Sequence, residues 1–101
     1  MVEVKLGKVS DVVTGKGKLF TVQGKRIAVF NVDGKFYGIN GTCTHVGGPL
    51  WDGVCDGNVV TCPWHGAQFD VMNGEVLSGP AKIDATAHKV IEKGGELFVV
   101  M

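Results

Sequence analysis

The sequence predicts an all-β protein: an antiparallel sandwich or small barrel carrying an inserted subdomain of two loops. Three observations lead there. Short runs rich in Val, Ile, Phe and Thr alternate with glycine-bearing turns. No window sustains a 3.6-residue apolar period over three turns. Residues 41–81 break the strand rhythm and concentrate glycine, cysteine and histidine. With 101 residues, a single domain over 1–101 is expected, and its core is modest because chains of this size bury only about 60–70% of their unfolded surface.

The elements follow in order. Val2 to Leu6 alternates apolar and polar residues as a half-buried strand does. Ser10-Asp11 is placed to cap one helical turn before Gly15 and Gly17 end it. Lys18 to Val22, a Gln23-Gly24 turn and the β-branched run Arg26 to Val32 form a hairpin. Asp33-Gly34 is a strong two-residue turn signal, and Lys35 to Ile39 returns. Asn58 to Thr61, Ala67 to Val71 and Glu75 to Leu77 are short strands, the last two joined at Asn73-Gly74. After Gly79-Pro80, His88 to Lys93 and Glu96 to Val100 make a hairpin around Gly94-Gly95.

Composition narrows the function. The formal net charge is zero, so no nucleic-acid partner is expected. The charge is unevenly spread. Residues 1–35 carry seven Lys/Arg against three Asp/Glu, whereas residues 36–81 have no cation against Asp52, Asp56, Asp70 and Glu75. A partner docking on the loop region should therefore present a basic face. Three cysteines make an odd count that argues against a secreted disulfide framework. No apolar run approaches the ~20 residues of a membrane span, and residues 1–10 have no signal-peptide core. A cytoplasmic monomer is expected.

The inserted region holds two arms, Cys43-Thr44-His45 and Cys62-Pro63-Trp64-His65-Gly66. Two Cys and two His can hold one tetrahedral zinc. They can also hold a two-iron, two-sulfide cluster, cysteines on one iron and histidines on the other. The arms favour the cluster. Each mixes one thiolate with one imidazole, whereas zinc fingers usually segregate the pairs. Glycines crowd both arms (Gly47, Gly48, Gly66) and let backbone N–H groups approach a sulfide closely.

These two arms, with Pro49-Leu50, Phe69-Asp70, Gly74 and Gly79-Pro80-Ala81, resemble the Rieske motif. Chain length and Trp64 resemble, more narrowly, the soluble Rieske ferredoxins of bacterial aromatic-ring dioxygenase systems. The resemblance implies a Rieske-type fold and one 2Fe-2S cluster, with Cys43 and Cys62 on one iron and His45 and His65 on the other. It also implies a proline loop at Pro80 lying over the cluster. The implied function is one-electron transfer from an NAD(P)H-dependent flavoprotein reductase to a terminal oxygenase, both docking near the His-ligand loops. Neither iron has an open site for substrate, so the chain is expected to be a carrier and not an enzyme.

Two neutral imidazoles leave the oxidised cluster uncharged and the reduced one at −1, which raises the potential over an all-thiolate cluster; such centres span about −150 to +300 mV. In the Rieske proteins of respiratory and photosynthetic complexes, the positions of Gly48 and Trp64 are disulfide-bonded cysteines. Hydroxyls replacing Ala67 and Phe69 there donate to the cluster sulfurs. This sequence has Gly48, Trp64, Ala67 and Phe69, so a potential near the low end is expected.

Cys55 fits neither arm and reads as an ordinary thiol, and His88 as a surface or packing residue. Trp51 and Trp64 are expected to shield the cluster. Three other readings compete: a structural zinc module, a cluster-free accessory subunit of a reductase on the same fold, and a domain like the N-terminal part of an oxygenase large subunit. Intact ligands and terminal strands argue against the last two. The segment Asp84-Ala85-Thr86 departs from the family pattern, where proline and a bulky apolar residue are common.

Overall fold

A computed structural model describes residues 2–42, 48–64, 66–79 and 83–100. Among these residues, eleven strands form three antiparallel sheets. The first sheet joins β1 (Glu3–Lys8), β11 (Glu96–Val100) and β10 (Val90–Lys93) in the order β1-β11-β10. The second has the order β2-β3-β4-β9, from Gly17–Val22, Lys25–Val32, Lys35–Asn40 and Ala87–His88. The third, β5-β6-β7-β8, comprises Val54–Asp56, Val59–Thr61, Gln68–Asp70 and Val76–Ser78.

The second sheet lies between two cores, and β3 explains how. Its run Ile27-Ala28-Val29-Phe30 is wholly buried. Side chains alternate along a strand, so Ile27 and Val29 enter one core with Leu97 and Val99. Ala28 and Phe30 enter the other with Leu50, Val60, Phe69 and Val71. A continuous apolar run, instead of an in–out alternation, is what a strand covered on both faces requires. Phe30 and Phe69 are the largest fully buried side chains, and truncating such a phenylalanine to alanine costs about 3–5 kcal/mol.

The turn chemistry follows the sequence closely. Gln23-Gly24 and Asp33-Gly34 both adopt positive φ (50° and 78°, 52° and 86°), the paired left-handed conformation that matches the twist of a two-residue hairpin. Other expectations are corrected. Asp11 does not cap the turn Val9–Asp11 from ahead; it closes that 3-10 turn from within, accepting from the Lys8 backbone N–H at 3.0 Å. Strand β5 and a 3-10 turn at Leu50–Asp52 occupy residues read as loop. The strand expected over His88 to Lys93 is split at Lys89, so β9 pairs with β4 while β10 pairs with β11. No helix of the described residues is long and apolar enough to cross a membrane.

Candidate metal centre

Both arms spring from hydrogen-bonded stems. The first leaves the end of β4. There Gly41 O accepts from Leu50 N at 2.9 Å, and Thr42 bridges Pro49. The second is the tip of the β6–β7 hairpin: Cys62 N donates to Ala67 O at 2.7 Å and Gly66 N to Cys62 O at 3.1 Å. Gly66 has φ +76° with open space about its α-carbon, so its role is conformational and not a matter of crowding. Cys43, His45, His65 and Pro80 lie outside the described residues.

The stems meet at Gly48. A methyl group built there would lie 2.8 Å from Cys62 Sγ and 3.2 Å from two ring carbons of Trp64. Its φ is not left-handed, so only glycine's lack of bulk is being used. Gly48 and Trp64 are thus neighbours at the junction of the two stems. Cys62 is 1% exposed, is not in a disulfide, and its Sγ makes no hydrogen bond among the described residues. A buried sulfur with no hydrogen-bond partner among the described residues, pressed by bare backbone, fits a thiolate ligand to a soft metal. Gly79, with φ +90°, lies over the same arm: a methyl group on it would fall 2.7 Å from Ala67 Cα and 3.0 Å from Gly66 O.

Comparison with known proteins identifies the centre. The sequence model of the Rieske [2Fe-2S] domain matches residues 2–91. The chain belongs to this family. The group its members carry is a Rieske-type 2Fe-2S cluster held by Cys and His. Among curated relatives, the cytochrome b6-f complex iron-sulfur subunit of Chlorobaculum tepidum is 32% identical over 98 residues, covering 96% of this chain; the chain spans about half (52%) of that protein. The ferredoxin component of the naphthalene 1,2-dioxygenase system of Pseudomonas putida is 37% identical over 71 residues, 70% of this chain and 68% of that one. Among solved structures, the Sphingomonas yanoikuyae B1 ferredoxin superposes with TM-score 0.93 at 29% identity, covering 99% of both chains. The ferredoxin in a complex of reduced oxygenase and oxidised ferredoxin of carbazole 1,9a-dioxygenase matches with TM-score 0.89 at 34% identity, over 96% of this chain and 100% of that one. The relatives named here are ferredoxins, a dioxygenase ferredoxin component and an iron-sulfur subunit.

The remaining residues fall into place around the Rieske centre. Ala67 and Phe69 are fully buried in the core behind Cys62. Trp64 covers Gly48 with its ring yet is 59% exposed, so it screens the arm junction only in part. Trp51 packs against the core. Cys55 is buried on β5, where its Sγ reaches Gly57 O at 3.4 Å. Burial, and then the Asp56 carboxylate, push its thiol pKa up, so it is a poor source of thiolate. His88 is half-buried, with Nε2 2.7 Å from Asn40 Oδ1. Burial, followed by the Lys25 charge, lowers its pKa.

Asp84-Ala85-Thr86, the segment that departs from the family pattern, turns out to be a brace. Asp84 Oδ1 accepts from Val76 N at 2.9 Å. Ala85 N donates to Gly74 O at 2.7 Å, and Asn40 N to Thr86 O at 2.9 Å. Ala85 is itself buried in the core. These bonds tie the β7–β8 hairpin to β4, and hence the second arm's sheet to the strand from which the first arm leaves. Nothing in the residue types of 84–86 announced this, because the fold decides which backbone groups of the β7–β8 hairpin and β4 come to face them.

Proposed function

We propose that the chain is a cytoplasmic one-electron carrier. In this reading Cys43 and Cys62 hold one iron, His45 and His65 hold the other, and electrons pass from an NAD(P)H-dependent flavoprotein reductase to a terminal oxygenase. The observation that supports it most is the seating of Gly48 on Cys62 Sγ, because it brings the stem of one ligand arm against a buried ligand atom of the other. The cluster supplies a one-electron couple with no open coordination site. The chain's part is to exclude water and to orient. Buried Cys62, Ala67 and Phe69 keep the inner side dry, and Trp64 covers the junction.

Partners would dock over the arms, where the chain between residues 36 and 81 is purely acidic, so a basic partner face is favoured. The test is direct. Purified protein should contain two irons and two sulfides and give, on reduction, the spin-resonance signal of a Cys/His-ligated two-iron cluster. Cys55→Ser should keep iron and colour, while His45→Cys or His65→Cys should shift the spectrum toward an all-thiolate type. A purified flavoprotein reductase of a ring-hydroxylating dioxygenase system, with NADH, should reduce it. Loss of iron in the Cys55 variant would overturn the ligand assignment, and failure of reduction by such reductases would overturn the electron donor.

A further inference from the structure

A cleft of about 490 Å³ opens at the base of the first arm, at the end of the second sheet. Lys25 and Arg26 of β3, Asn40 of β4, Thr42, Thr86 and His88 of β9 line it, and among the described residues no carboxylate does. Register explains the convergence. Ile27 faces Asn40 across β3–β4, and Gly38 faces His88 across β4–β9, so Lys25, Asn40 and His88 share one face of the sheet, whereas Arg26 departs from the other face and lines the cleft from the sheet's end, where β3 begins.

The cations in this cleft have no ion-pair partner among the described residues. The ion pairs formed by other lysines, Lys5–Glu96 and Lys93–Glu3, lie across the first sheet. Neither Lys25 nor Arg26 has an acidic partner among the described residues. Asn40 Oδ1 is taken up by His88 Nε2 at 2.7 Å. With Asn40 Oδ1 as the acceptor, His88 Nε2 is the donor of that bond, and the Asn40 amide N–H groups are left without a partner among the described residues. The hydroxyls of Thr42 and Thr86 add two more donors. The Lys25 charge already reaches the His88 imidazole and opposes its protonation. Two uncompensated cations, an amide and two hydroxyls in a concave, carboxylate-free cleft form the complement of an anion.

We propose that this cleft binds a small dianion of carboxylate or phosphate chemistry, with Lys25 and Arg26 matching its two charges and Asn40, Thr42 and Thr86 donating to its oxygens. The volume exceeds that of inorganic phosphate and lies within the range of organic-ligand pockets. The site is distinct from the metal centre but adjoins it, because Thr42 is the last residue before the first arm.

The test uses the cluster-loaded full chain at constant ionic strength. Inorganic phosphate and succinate are titrated separately, with chloride and acetate as controls, and amide and His88 ring signals are followed by NMR. Saturable shifts centred on residues 24–26, 40–42 and 86–88 are expected with at least one dianion. The bound charge should also raise the His88 pKa by offsetting Lys25. Lys25→Gln with Arg26→Gln, both at exposed positions, should weaken binding at least tenfold while leaving the visible spectrum of the cluster unchanged. Shifts that are linear in concentration, or matched by chloride, would overturn the proposal. So would an unchanged affinity in the double variant.

Discussion

Gly48 lies against the sulfur of Cys62, so that even a methyl group would intrude to 2.8 Å. The contact joins residues from two separate loops, and it makes position 48 a steric gauge of the metal centre. Gly48→Val should lower iron content at least twofold on purification, with Gly48→Ala intermediate. The strands, remote from this contact, should keep their circular dichroism. Full iron content in Gly48→Val would show that the arms are not seated this closely.

A second expectation concerns the potential. Ala67 and Phe69 are buried and offer no hydroxyl to the centre. Ala67→Ser and Phe69→Tyr should each raise the midpoint potential by adding a donor that favours the more negative reduced state. A hydrogen bond worth about 1 kcal/mol more to that state corresponds to about 40 mV, since a tenfold change is 59 mV for one electron. Voltammetry showing no rise in either variant, with the cluster intact, would refute the hydroxyl argument.

The brace at Asp84 predicts a graded pair of variants. Asp84→Ala leaves the Val76 N–H without its acceptor and should cost roughly 0.5–1.5 kcal/mol. Asp84→Asn keeps an acceptor oxygen and should recover most of the loss, which chemical denaturation can measure. Gly74→Ala should be far more damaging. Its φ is +81°, and the added methyl would sit 1.8 Å from Ala85 O.

His88 supplies a pH dependence whose sign is fixed by its surroundings. Burial, then Lys25, lowers its pKa in the folded state, so the unfolded chain binds a proton first as pH falls. The stability tied to a neutral His88 is fully present above the unfolded value of about 6.5 and is lost as pH drops through the lower folded value. His88→Gln should flatten the fall in stability just below pH 6.5. An unaltered slope would mean that the proton is taken up elsewhere.

The fold was legible wherever turn chemistry is local. Asp33-Gly34, Gln23-Gly24 and Gly94-Gly95 all take the positive φ their sequence implies, and the strands on either side follow. Asn73-Gly74 was half legible. Gly74 is left-handed, but the connection is longer, built by Asp70 Oδ1 on Met72 N and Asn73 Oδ1 on Glu75 N. Strand β5 was missed because Val54-Cys55-Asp56 has no strand signature of its own; pairing with β6 creates it. The break at Lys89, the brace at Asp84 and the cleft at Lys25 were invisible for the same reason. Each depends on which distant strands become neighbours. In the candidate site, the ligand set rests on the resemblance alone, whereas the contact of Gly48 with Cys62 required the folded chain.

The pairing pattern bears on how such a molecule assembles in time. The sheet β5-β6-β7-β8 is a succession of neighbouring hairpins within Val54–Ser78, whereas β1 must find β11, setting Glu3 beside Val100. Local contacts close quickly, and long loops close late because their ends must first meet. The metal-bearing hairpins are thus set to zip within a chain whose outer sheet is still open. Iron and sulfide would then meet a partly formed cradle before the ends of the protein lock around it.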